Sequence, residues 1–211
     1  MIKKFIATAI IFMLLFVTAE AKTVEEWIAK GKEFMRQGKY DQAVHCYDKA
    51  IEFDAKNRDA WFHKAQAYNS MNEWELALQS CDRVLEFNGN DIDGWLLRGI
   101  LFTLGLGDFN SGINCYDRVL NMDPRNIDAW YYKGYSYGEL GRHDMSIVCY
   151  DKVLDIDPSC DKAKKGKDKE LKEKNKNQGN QGNNGNNGNQ GNNGNQGNNG
   201  NQGNNGNKPK K

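Results

Sequence analysis

Five cysteines and three histidines are the side chains of this 211-residue chain best suited to ligate a metal, attack an electrophile or form a cross-link. Their spacing argues against all three. Cys46, Cys115 and Cys149 each open the same short run, Cys46-Tyr47-Asp48-Lys49, Cys115-Tyr116-Asp117-Arg118 and Cys149-Tyr150-Asp151-Lys152, and Cys81-Asp82-Arg83 is a shortened form. Equivalent atoms of stacked units lie about 10 Å or more apart, whereas a disulfide needs Cα atoms within about 7 Å. Mostly free, partly buried thiols are therefore expected, and a Cys149–Cys160 pairing stays open. His45, His63 and His143 fall at three different places in the recurring pattern, so the three or four converging ligands of a metal site are not expected. Gly-x-Ser-x-Gly, His-Glu-x-x-His and phosphate-loop patterns are absent. The chain reads as a non-enzyme with no catalytic residue, no cofactor and no metal.

The elements that place these side chains follow from a period of 34 residues. Four units run 24–57, 58–91, 92–126 and 127–160, the third being one residue longer between Phe102 and Gly107. Trp27, Trp61, Trp95 and Trp130 stand at the fourth slot, and Phe34, Tyr68, Phe102 and Tyr137 follow about two turns later. Apolar and small residues recur at i, i+4 and i+7 within two segments of each unit, which predicts two amphipathic helices per unit. Gly38, Asn72, Gly107 and Gly141 suit the corner between them, where a positive φ is needed. Asn57, Asp91 and Asn126 stand where an N-cap oxygen can accept from free backbone N–H groups, and Pro124 and Pro158 close two of the second helices.

Tryptophan at slot 4, glycine or a small residue at 8, an aromatic at 11, a small residue at 20, an aromatic at 24, alanine or valine at 27 and proline at 32 resemble the tetratricopeptide repeat. In the fourth unit these are Trp130, Gly134, Tyr137, Ser146, Tyr150, Val153 and Pro158. The resemblance covers residues 24–160 and implies an all-α fold, a right-handed superhelical stack of helix-turn-helix repeats. Two departures stand out: slot 7, usually leucine, holds Lys30, Lys64, Arg98 and Lys133, and slot 24 of the second unit is Cys81. Long basic stems can cover apolar surface while the charged head reaches water. One hairpin cannot bury its own apolar stripe, but four stacked hairpins share a continuous core. Residues 161–177 read as a Lys-rich capping helix.

The resemblance also implies that the first helices line a concave, peptide-binding groove. Slot by slot this gives Phe62, Leu96 and Tyr131, then Gln66, Ile100 and Tyr135, then Asn69 and Thr103, an apolar and aromatic face with two amides able to hold a peptide backbone. The subfamily that clamps C-terminal carboxylates needs Lys and Asn where this chain has Ile28 and Lys32, so that clamp is not expected. Slot 2 is acidic throughout, Glu25, Asp59, Asp93 and Asp128, as suits a helix start.

The two ends differ from the middle. Residues 1–21 carry Lys3 and Lys4, a thirteen-residue run from Phe5 to Val17 that is apolar but for Thr8, then Ala19-Glu20-Ala21. This reads as a cleaved signal peptide, since thirteen residues fall short of the roughly 20 needed to span a bilayer. The protein is expected to be exported, to the periplasm, the outside or a secretory lumen, with no stable membrane anchor after cleavage. Residues 22–160 hold 16 Lys and Arg against 23 Asp and Glu, a net of −7, and residues 161–211 hold 11 against 4, a net of +7. An acidic body argues against a nucleic-acid partner. Residues 178–211 form an Asn/Gly/Gln low-complexity stretch with no apolar residue, expected to be a disordered tail. Two functions follow: a protein- or peptide-binding scaffold acting outside the cytoplasm, or a structural surface or matrix protein whose tail carries the role.

Overall fold

The computed structural model describes residues 23–184. The expected signal at 1–21, and all of the expected tail beyond Asn184, lie outside the described residues. The described residues fall into two units, divided between 174 and 175. The first holds four helical hairpins: α1 (Val24–Arg36) with α2 (Tyr40–Phe53), α3 (Arg58–Ser70) with α4 (Trp74–Phe87), α5 (Ile92–Ile100, continued by a π-helical turn Leu101–Gly105) with α6 (Phe109–Met122), and α7 (Ile127–Glu139) with α8 (His143–Ile156). Helix α9 (Asp161–Asn184) begins in the first unit and ends in the second, seven residues beyond the expected end of the capping helix at 177. No strand occurs among the described residues.

Each first helix starts on a side-chain cap. Thr23 accepts from the Glu26 amide while Glu26 reaches back to the Thr23 amide, a reciprocal capping box. Asn57, Asp91 and Asn126 accept from Ala60, Gly94 and Ala129 at 3.0, 2.7 and 2.9 Å. Each first helix ends at a left-handed corner, Gly38, Asn72, Gly107 and Gly141, with φ of 71°, 61°, 67° and 69°. Asn72 is the residue type best able to take that conformation without being glycine.

Three layers of small or β-branched residues form the spine: Ala43 and Ala77, Ala60 and Ala129, and Ala50, Val84, Val119 and Val153, all fully buried. Burying each valine contributes about 1.5–3 kcal/mol before entropy is counted. Tyr47 and Tyr116 lie across the opposing helix, where a Cβ on Gly31 or Gly99 would overlap the phenol ring. The second hairpin exchanges large for small at the same two slots, with Ala65 and Cys81 sharing one cluster. Helices α1 and α3 touch directly, as do α5 and α7, while each second helix packs on the following first helix. Among the described residues it is the first helices that crowd together, and their shared side is called the inner face below.

The extra residue of the third unit is absorbed inside α5. The Leu106 N–H bonds to the Leu101 carbonyl at 3.0 Å, and Asp108 N–H to Phe102 at 2.8 Å, one residue longer than the matching bonds Lys39 to Phe34 and Arg142 to Tyr137. A single-turn π bulge is the usual way a helix takes in one residue without losing its ends.

Candidate functional site

Seven of the eight groove residues expected from the sequence lie half-buried on the inner helices: Phe62, Gln66 and Asn69 on α3, Leu96 and Ile100 on α5, Tyr131 and Tyr135 on α7. Thr103 does not belong with them. It is 3 % exposed, its hydroxyl accepts from Tyr116 at 3.0 Å and lies 3.3 Å from the Ser136 hydroxyl. The π turn shifts the register by part of a turn and rotates slot 12 of this unit into the core, so counting residues placed Thr103 on the wrong face.

Each groove side chain is held by neighbours. Phe62 lies under the Arg58 guanidinium, 4.4 Å from ring centroid to Cζ. Arg58 in turn donates to both oxygens of Asp91 at 2.8 Å and to Asp93 at 2.9 Å and Asp59 at 3.1 Å. Two of the slot-2 acids are thus neutralised by one arginine. The Arg58 guanidinium holds the Asp91 carboxyl below the usual carboxylate range, against the opposing effect of burial. Gln66 Oε1 sits 2.8 Å from His63 Nδ1. Burial pushes His63 below its ordinary value, so it is neutral at pH 7 and donates to that oxygen. Leu96 and Ile100 pack on the cluster of Tyr116, Val119, Leu120 and Ala129. Tyr131 meets Tyr132 edge-on at 5.3 Å, and Tyr135 meets Phe109 at 6.4 Å. Burial raises Tyr131, which keeps its phenol protonated and able to donate. The face carries apolar bodies with polar tips at fixed places.

Three open clefts, of about 460, 370 and 320 Å³, lie away from this face along the edges of the first three hairpins. They are lined by the tryptophan, basic and aromatic residues of slots 4, 7 and 11, for example Trp61, Lys64 and Tyr68. Their recurrence from hairpin to hairpin marks a packing feature of the unit.

The thiols sit in the core. Burial pushes Cys81 up to about 12 and Cys149 up to about 11, and raises Cys115 as well. A thiolate is the reactive form, so these sulfurs are inert at neutral pH. Cys149 and Cys160 are free thiols, which closes the pairing left open by the sequence. No group of three or more metal-ligating side chains forms among the described residues.

Comparison with known proteins places this stack. The TPR repeat family matches residues 31–71, and the Tetratricopeptide repeat family matches residues 127–160. Residues 31–71 and 127–160 thus carry tetratricopeptide repeats. No curated protein matches it in sequence. Among solved structures, MamA is 19% identical over 72% of this chain and 82% of its own, with a TM-score of 0.65. A tetratricopeptide repeat protein from Parabacteroides merdae is 22% identical over 72% of this chain and 60% of its own, with a TM-score of 0.66. The first TPR of Spaghetti (RPAP3), solved bound to the HSP90 peptide SRMEEVD, is 25% identical over 57% of this chain and 95% of its own, with a TM-score of 0.53.

The tetratricopeptide register explains the basic residue at slot 7, which the sequence alone left as a departure. After the first unit, each slot-7 head reaches the aspartate of the preceding cysteine run: Lys64 to Asp48 at 2.6 Å, Arg98 to Asp82 at 3.1 Å, Lys133 to Asp117 at 2.5 Å. The heads also sit near two rings, as Lys133 Nζ does at 5.3 Å from Trp130 and 5.9 Å from Tyr137. Helix α9 continues the pattern, with Lys167 taking Asp151 at 2.6 Å. The signal was present in the sequence as an aspartate followed sixteen residues later by a base. It escaped notice because it crosses the repeat boundary.

Among the described residues, no helix is long and apolar enough to cross a membrane.

Proposed function

We propose that this chain is a non-catalytic scaffold that holds a peptide or protein segment in the groove of its first helices and acts outside the cytoplasm. The observation that carries the reading is the run Phe62, Leu96, Ile100, Tyr131 and Tyr135, large apolar side chains left half-buried on one inner face when the rest of the core is closed. Exposed apolar surface with a few placed polar groups generally marks an interaction site. The Spaghetti (RPAP3) structure, with its bound peptide, supports a peptide as ligand for this architecture. The mode here differs from a Lys/Asn carboxylate clamp, since Ile28 is buried and Lys32 stands at the other slot. Export rests on the composition of residues 1–21.

Selection of a random 12-residue peptide library on the immobilised chain tests the groove. Enriched peptides should lose binding to the Ile100→Asp/Tyr135→Ala variant while the variant keeps its helical circular dichroism. Retained binding would refute the groove. The alternative, a structural surface or matrix protein, rests on the Asn/Gly/Gln stretch; deleting residues 185–211 should then abolish surface attachment while leaving peptide binding intact.

A further inference from the structure

Helix α9 is placed as a fifth first helix would be. Ala163 is fully buried against Tyr150 and Val153 at the slot of Ala60 and Ala129, and Lys167 completes the aspartate ladder at slot 7. Glu170 is 2 % exposed at slot 10, where it takes His143 Nδ1 at 2.7 Å and lies 2.7 Å from where a Cβ on Gly138 would stand. Those three contacts fix the rotation of the helix. The slots that face the groove in the other first helices then fall on Lys162, Lys165, Lys169 and Lys172. Spacings of three, four and three residues put all four on one helical face. All four are exposed, and among the described residues Lys162, Lys165 and Lys172 make no ion pair.

The stripe adjoins the aromatic end of the groove. Lys169 Nζ reaches Glu139 of α7 at 3.3 Å, and Tyr135 lies close enough to act on its charge. The polarity is the reverse of the other hairpins, whose second slot carries Glu25, Asp59, Asp93 and Asp128. We infer that the groove takes an acidic peptide segment in one direction, with apolar side chains over Leu96, Ile100, Tyr131 and Tyr135 and two or three carboxylates against the lysine stripe of α9. This deepens the groove reading above and rests on it. The stripe spans ten residues, about 15 Å of helix at about 1.5 Å per residue. An extended peptide covers that length in about five residues. A duplex or a membrane surface reaching so short a stripe would also meet the net charge of −7 on residues 22–160, which disfavours both.

The same 12-residue library, selected in parallel on the full chain and on its Lys165→Glu/Lys172→Glu variant, decides the matter. Peptides enriched on the chain should carry an aromatic or aliphatic residue together with an excess of Asp and Glu. The excess should vanish on the variant, and the best acidic peptide should bind the variant about tenfold more weakly at low salt. Enriched peptides that depend on Ile100 and Tyr135 but are neutral or basic would overturn this inference and leave the groove standing. An acidic excess that persists on the variant would overturn it too. No enrichment at all would sink both readings. Binding of the chain to phosphatidylserine vesicles or to a single-stranded oligonucleotide, lost in the same variant and without acidic peptides in the selection, would assign the stripe to another partner.

Discussion

Tyr47 and Tyr116 are the same residue at the same slot of two hairpins, yet their hydroxyls differ. Tyr116 donates to Thr103 at 3.0 Å, whereas the Tyr47 oxygen is buried with no hydrogen-bond partner. A buried hydroxyl that makes a bond is worth about 1 kcal/mol, and one that makes none is a cost. Tyr116→Phe should lower the unfolding free energy by about 1 kcal/mol, while Tyr47→Phe should leave it unchanged or raise it, as read from urea unfolding. Equal losses in both would contradict the assignment. Thr103 also marks where residue-level reading failed. Its type and count fitted the groove, and only the π turn, a backbone event that one inserted residue makes necessary but does not locate, sent it into the core.

Helices are joined across hairpins by charge, in two different ways. Arg58 at the start of α3 binds Asp91, which also caps α5, so one carboxylate closes a helix start and a repeat boundary together. Asp91 is held below the ordinary carboxylate value, so its contribution is fully present above about pH 4, the unfolded value, and is lost as pH falls through the lowered folded value. Asp91→Asn keeps a capping oxygen but removes the charge. It should melt lower than the parent at pH 7, with the difference closing as both are taken below pH 3; a gap that is independent of pH would contradict the ion pair.

The aspartate ladder behaves otherwise. Its heads are partly exposed, so Asp117→Asn should change stability by no more than about 1 kcal/mol and less in high salt. Lys133→Ala should cost more and keep its excess cost in high salt, because it also strips a side chain only 15 % exposed, whose head sits near the Trp130 and Tyr137 rings. Comparable, salt-sensitive losses in the two variants would show that the head matters more than the stem. Most of this scale was legible beforehand. The cap residues Asn57, Asp91 and Asn126 and the four corners were read from single residues whose backbone chemistry is specific. Arg58 was not, since its partners lie 33 and 35 residues away and nothing local marks it.

At the scale of the molecule, the first helices of the four hairpins share one inner face, apolar toward the middle, and the start of α9 adds exposed lysines. The fold followed from the repeat, because a period of 34 with tryptophan, glycine and tyrosine in register admits one way of stacking. Which slots the core claims did not follow, as buried Thr103 shows, since a sequence gives the slot of a residue but not the backbone around it. The direct test is where a bound peptide lies. A benzophenone amino acid placed at position 100 or 135, on the inner face, or at position 76 or 118, on the hairpin edges, can be irradiated with a library-selected peptide. Cross-links from 100 and 135, and none from 76 and 118, are predicted. Cross-linking from the edge positions with the inner positions silent would place the ligand in the clefts beside Trp61 and Trp95 and contradict the groove.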